Sequence, residues 1–138
     1  MSTMYSRAHV MLEQAKHALK GVVEDDAYLD IACFDTQQAV EFLLKSILLE
    51  FNVVYVKTHK IRYLLKLVDS NTSFLFDKHD DLDVLADTIT SWESAIDNGH
   101  EVHTTTQTIR RVHDIFNSLN TAYWLYKKQT NHMQFFDK

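Results

Sequence analysis

The stretch Ala32-Cys33-Phe34-Asp35-Thr36-Gln37-Gln38-Ala39-Val40-Glu41-Phe42-Leu43-Leu44-Lys45 decides the fold. Around it, Ala27, Ile31, Phe34, Gln38, Phe42 and the cluster Leu44, Ile47, Leu48 share one helical register. That register predicts a helix from Asp26 to about Phe51 with a wide buried face. A helix apolar over so much of its circumference belongs at the centre of a bundle. Glu24, Asp25 and Asp26 supply acids and a cap at its start.

Upstream, Met4, Ala8, Met11, Leu12, Ala15 and Leu19 predict a first helix from Ser2 to Lys20, with Gly21 as its C-terminal cap. Downstream, Val53 to Val56 reads as an extended connection. Thr58 is placed to cap a shorter third helix that carries Ile61, Leu64, Leu65 and Val68, and Asp69 to Thr72 reads as a loop. A fourth helix opens near Asp80 with the stripe Leu82, Leu85, Ile89, Trp92, Ile96, and Asn98-Gly99 stops it. Thr104 and Gln107 occupy capping-box positions for a last helix, striped by Ile109, Val112, Phe116, Leu119, Tyr123 and Tyr126. Two stripes with alternating three- and four-residue spacing suit antiparallel packing. The expected fold is an all-α, up-and-down antiparallel bundle of four or five helices, one domain over residues 1–138.

Composition agrees. The 138 residues contain no proline and two glycines, with eight Phe, six Tyr and two Trp to fill a core. An all-β chain of this length leans on Gly and Pro for its turns, so long helices with few connections are implied. Cys33 is the only cysteine, which excludes an intramolecular disulfide and speaks against a thiolate metal cluster. There is no signal-peptide pattern at the N-terminus, and Phe42 to Leu49 is too short to span a membrane. A cytoplasmic protein without membrane contact is expected.

The net charge of −5 does not suggest a general polyanion binder, but the charge is uneven. Lys57, Lys60, Arg62 and Lys66 stand together without an acid among them, whereas residues 77–101 hold eight acids against Lys78. With His59, Tyr55 and Tyr63, the basic stretch Lys57, His59, Lys60, Arg62 is a candidate nucleotide or RNA contact through phosphates and stacking. Its other reading is surface charge around a structural histidine.

The central stretch also resembles the signature of the HEPN family of small helical bundles. That signature is a Gln-Gln-Ala-x-Glu run with a Lys one turn on, then a His, an apolar residue and leucines. Gln37, Gln38, Ala39, Glu41 and Lys45 match the first part, and His59, Ile61, Leu64 and Leu65 the second. The resemblance implies a homodimer, often partnered by a small nucleotidyltransferase, and in many members a metal-independent ribonuclease that acts as a toxin. The nuclease hallmark is an Arg and a His with four to six residues between them, which puts the His five to seven positions after the Arg. Such a pair would activate a ribose 2′-OH and stabilise the charged transition state.

This chain departs from the hallmark. Of Arg7, Arg62, Arg110 and Arg111, none is followed by a His at that spacing. The substitute catalytic candidates are His100 and His103, in the loop before the last helix, with Arg110 and Arg111 beyond them. Three further patterns carry no site. His9, Glu13 and His17 share a helix face but spread over two turns, so no metal site is expected. His79-Asp80 and His113-Asp114 are dipeptides of a kind chance supplies. Cys33 reads as a buried small residue. The expected function is a HEPN-like module of a toxin–antitoxin type or nucleotidyltransferase-associated system, binding nucleotide, RNA or a protein partner, with no cofactor. A ribonuclease with a non-standard Arg/His site and a ligand-free dimer scaffold are the alternatives.

Overall fold

The computed structural model describes residues 3–94 and 104–136, with side chains as far as residue 130. Among the described residues five α-helices follow one another: α1 (Thr3–Gly21), α2 (Ala27–Glu50), α3 (Ile61–Asn71), α4 (His79–Ser91) and α5 (Thr106–Phe136). A single 3₁₀ turn, Trp92–Ser94, extends α4. No strand occurs among the described residues, and Val53 to Val56 runs as an unpaired connection. The architecture is the all-α bundle expected from the pattern, with α2 in contact with α1, α3, α4 and α5.

The central place of α2 follows from its composition. Leu43, Leu44, Ile47 and Leu48 are fully buried and face several neighbours at once. Each such side chain contributes roughly 1.5–3 kcal/mol by leaving water. The deepest face, however, is turned from the expected one. Cys33, Thr36, Gln37 and Val40 are buried, while Ala27 and Ile31 are exposed. One buried stripe carries the polar signature residues inward, and Ile31 is left beside the outer edge of α1.

Local chemistry explains the helix ends. After the C-cap Phe51, Asn52 adopts a left-handed conformation at φ 57°. The Val53 N–H then donates to Leu48 O (2.9 Å) and the Asn52 N–H to Leu49 O (3.1 Å), a Schellman closure with Asn in the place glycine usually takes. Thr58 does not cap α3: its Oγ1 accepts the Lys60 N–H at 3.1 Å, and the first N–H of α3, from Ile61, donates to Thr90 Oγ1 of α4 at 3.0 Å. The cap of α5 is Thr105 rather than Thr104, its Oγ1 accepting the Thr108 N–H at 3.1 Å. Ile96 and the Asn98-Gly99 stop lie outside the described residues.

Gly21 closes α1 against α2. A Cβ there would stand 2.8 Å from Cγ and Cδ2 of the Tyr28 ring. Gly21→Ala is therefore expected to lower stability by about 1 kcal/mol in a urea titration, the overpacking outweighing alanine's better helix propensity. A more stable variant would mean that the ring swings away freely.

Candidate functional site

The signature residues assemble into one network inside the bundle. Gln37, Glu41 and Lys45 lie one turn apart on α2, so a single face presents all three. The Glu41 carboxylate, 1% exposed, accepts hydrogen bonds from Gln37 Nε2 and Lys45 Nζ at 2.8 Å each. His59 Nδ1 approaches the same carboxylate at 2.8 Å, and its Nε2 lies 3.0 Å from Glu93 in the 3₁₀ turn. Gln38 Nε2 donates to Gln37 Oε1 at 2.7 Å, and the Lys45 ammonium stands 5.7 Å from the centre of the Tyr55 ring. Among the described residues no buried side-chain polar atom lacks a partner. This network joins α2 to the 51–60 connection and to the end of α4.

A second cluster lies on the surface between α1 and α5, in a cleft of about 690 Å³. Lys16 and Lys20 reach it from successive turns of α1, and Arg110, His113 and Asn117 from one face of α5. His17 lines it as well. Lys16 is partly offset by Glu13 at 3.5 Å, and Asp114 adds a further acid. Neither Lys20 nor Arg110 has an ion-pair partner among the described residues. At the inner side His113 is 6% exposed, with Nε2 2.8 Å from Thr36 Oγ1. Burial pushes its pKa down to about 4, with Lys16 and Arg110 adding to the fall and Asp114 opposing it, so the ring is neutral at pH 7.

On the other side of α1 an apolar groove of about 620 Å³ runs against α2. Val10, Ala18, Tyr28 and Ile31 line it, and Asp35 sits among them with its pKa raised by burial. Glu13 and His17 border both this groove and the cleft.

The residues singled out in the sequence are dispersed. Arg111 turns towards α4, 3.4 Å from Asp81, whereas Arg110 lines the cleft. His100 and His103 lie outside the described residues. Of the basic stretch, His59 is held in the signature network. Arg62 is paired with Asp87 and donates Nη2 to Asp83 O at 2.9 Å. Lys60 lines an α3–α4 groove, and Lys57 is exposed. His9 lies 3.2 Å from Asn120 Oδ1 of α5 and also lines the α1–α2 groove together with Glu13 and the exposed His17. Among the described residues no group of three His, Cys, Asp or Glu side chains could hold a metal ion.

His79 pairs with Asp69 of α3 at 2.8 Å. Burial alone would lower that ring's pKa, but hydrogen bonds to Asp69 and Asp80 raise it above the ordinary value. Cys33 is fully buried, its thiol pushed up to about 12 by burial, and is no nucleophile. Lys16, Lys20, His113 and Asp35 were not picked out from the sequence for ligand contact. The one available signal was the helical spacing of Arg110, His113 and Asn117.

Among the described residues no helix is long and apolar enough to cross a membrane. The family model of the HEPN domain matches residues 1–93, a span that holds the whole signature network and stops before α5. No curated protein and no solved structure matches the chain.

Proposed function

The chain belongs to the HEPN family, and from that premise we propose that it is a phosphate-recognising module that binds a nucleotide or RNA without cleaving it. It serves as one component of a toxin–antitoxin type or nucleotidyltransferase-associated pair, as a homodimer, with residues 1–138 forming one domain. The observation that carries this reading is the α1–α5 cleft, where Arg110 and Lys20 face each other's helix without an ion-pair partner among the described residues. Unpaired cations on two rigid helices are pre-organised for a phosphate, and a guanidinium adds planar, paired donors.

The described residues offer the nuclease alternative no substitute for His100 or His103. His113 is neutral and already engaged with Thr36, and Arg111 is drawn off by Asp81, so neither stands free beside Arg110. The signature network is internally satisfied and serves as scaffold.

Fluorescence anisotropy with a labelled short RNA and with labelled nucleotides tests this. Binding is expected to weaken about tenfold in Arg110→Ser, the loss of one charge-assisted contact. RNA incubated without metal should stay intact. Cleavage that disappears in His100→Ala or His103→Ala would establish the ribonuclease instead, and failure to bind either RNA or nucleotide would leave the dimer scaffold.

A further inference from the structure

We infer that the floor of the α1–α5 cleft is a pocket for a terminal phosphate, in which His113 donates a hydrogen bond through Nδ1 and Thr36 fixes the ring in the form that can do so. The inference rests on the phosphate reading of the cleft. It adds the end of the ligand that enters and the group that recognises it.

The two nitrogens of the ring have different surroundings. Nε2 lies 2.8 Å from Thr36 Oγ1, and Thr36 is fully buried. That hydroxyl has no other partner among the described residues. With the proton on Nε2, the hydroxyl hydrogen of Thr36 would be stranded in the core, at a cost of about 1–3 kcal/mol. The hydroxyl therefore donates to Nε2, and a neutral imidazole then carries its proton on Nδ1. Among the described residues no buried side-chain polar atom lacks a partner, and Nδ1 has none, so Nδ1 is not buried. The rest of His113 is, and the residue lines the cleft, so the N–H opens at the cleft floor.

The groups around that donor suit an oxyanion. Burial is the chief reason that the ring stays neutral, and Lys16 of α1 and Arg110 of α5 both act on it in the same sense. Lys20 and the Asn117 amide complete a set of donors from both walls and the floor. A phosphate at the end of a chain carries nearly two charges at pH 7 and three open oxygens. The unpaired cations Lys20 and Arg110 match that charge. An internal phosphodiester carries one charge, and its chain must leave the cleft on both sides. Glu13 and Asp114, both exposed, line the same cleft and oppose further phosphates along such a backbone. With its proton on Nδ1 the ring turns no lone pair to the ligand, so it cannot take a proton from a ribose 2′-OH.

The test uses the full chain, one 3′-labelled RNA tetranucleotide made with a 5′-phosphate and with a 5′-hydroxyl, and inorganic phosphate as competitor. Wild-type protein is expected to bind the phosphorylated form about tenfold more tightly, and inorganic phosphate to displace it. His113→Gln, checked for retained helical content, should abolish most of that preference, whereas Arg110→Ser should weaken both RNAs. A long-range proton–nitrogen spectrum of the imidazoles, with His113→Gln to assign the signal, should show the proton on Nδ1 at pH 7.5. Added phosphate should shift that nitrogen, a response that a purely structural histidine would not give. Equal affinities for the two RNAs, both weakened by Arg110→Ser, would overturn the terminal pocket while the cleft stands as a backbone contact. A proton on Nε2, or a preference that survives His113→Gln, would overturn the role of His113. No binding of either RNA and no response of His113 to phosphate would overturn the cleft reading on which the inference rests.

Discussion

Glu41→Ala is expected to lower the free energy of unfolding by about 3–5 kcal/mol, measured by urea titration. The carboxylate is buried and takes donors from Gln37, Lys45 and His59 at 2.8 Å each. Its removal leaves the Lys45 ammonium, itself 8% exposed, without its counter-ion, and strands an amide and an imidazole. Single-partner deletion is the damaging case for buried pairs, because the remaining charge keeps its desolvation cost and loses its compensation. For a domain with about 5–15 kcal/mol in total, the loss is a large share. Glu41→Gln should fall between, since one acceptor remains while the amide N–H₂ confronts donors. A change below about 1 kcal/mol for Glu41→Ala would show that the network contributes geometry alone.

The second large effect is an acid limb of stability set by His113. Its folded pKa is pushed down to about 4, whereas an unfolded histidine titrates near 6.5. Below pH 6.5 the unfolded chain takes up a proton that the folded chain refuses, so unfolding is favoured as pH falls. Stability is then lost progressively between about pH 6.5 and 4 and levels off below, a total of about 3 kcal/mol from this ring. His113→Gln places an amide near the position of Nε2, keeps a partner for Thr36 and removes the titration. Urea midpoints at pH 7.5 and 4.5 should therefore draw closer in the variant than in the wild type. An unchanged difference would place the acid sensitivity in the carboxylates.

The bundle was legible because its evidence is local. The leucines of α2 and the lack of Gly and Pro act within single elements, and Gln37, Glu41 and Lys45 could be placed on one face because one helix carries them. Glu93 could not be joined to them, since only the packing of the 3₁₀ turn against α2 brings it to His59. The basic stretch is divided among different surroundings for a related reason: Lys57 and His59 precede α3 while Arg62 rides on it, so neighbours in sequence face different partners. Arg110 and Arg111 were foreseeable as a divergent pair, because consecutive helical residues point about 100° apart. The cleft was not, since it exists only where α1 meets a helix that begins more than eighty residues later.

That separation has a consequence for the order of assembly. α1 and α2 are joined by residues 22–26 alone, so they can close on each other early and at low entropic cost. The contacts from Tyr5 and His9 to Asn120 span 115 and 111 residues and must wait until α5 returns across α1. The cleft is then the last seam of the bundle to form. A ligand held there adds its binding free energy to that final docking step, so occupancy and completion of the fold become one linked equilibrium.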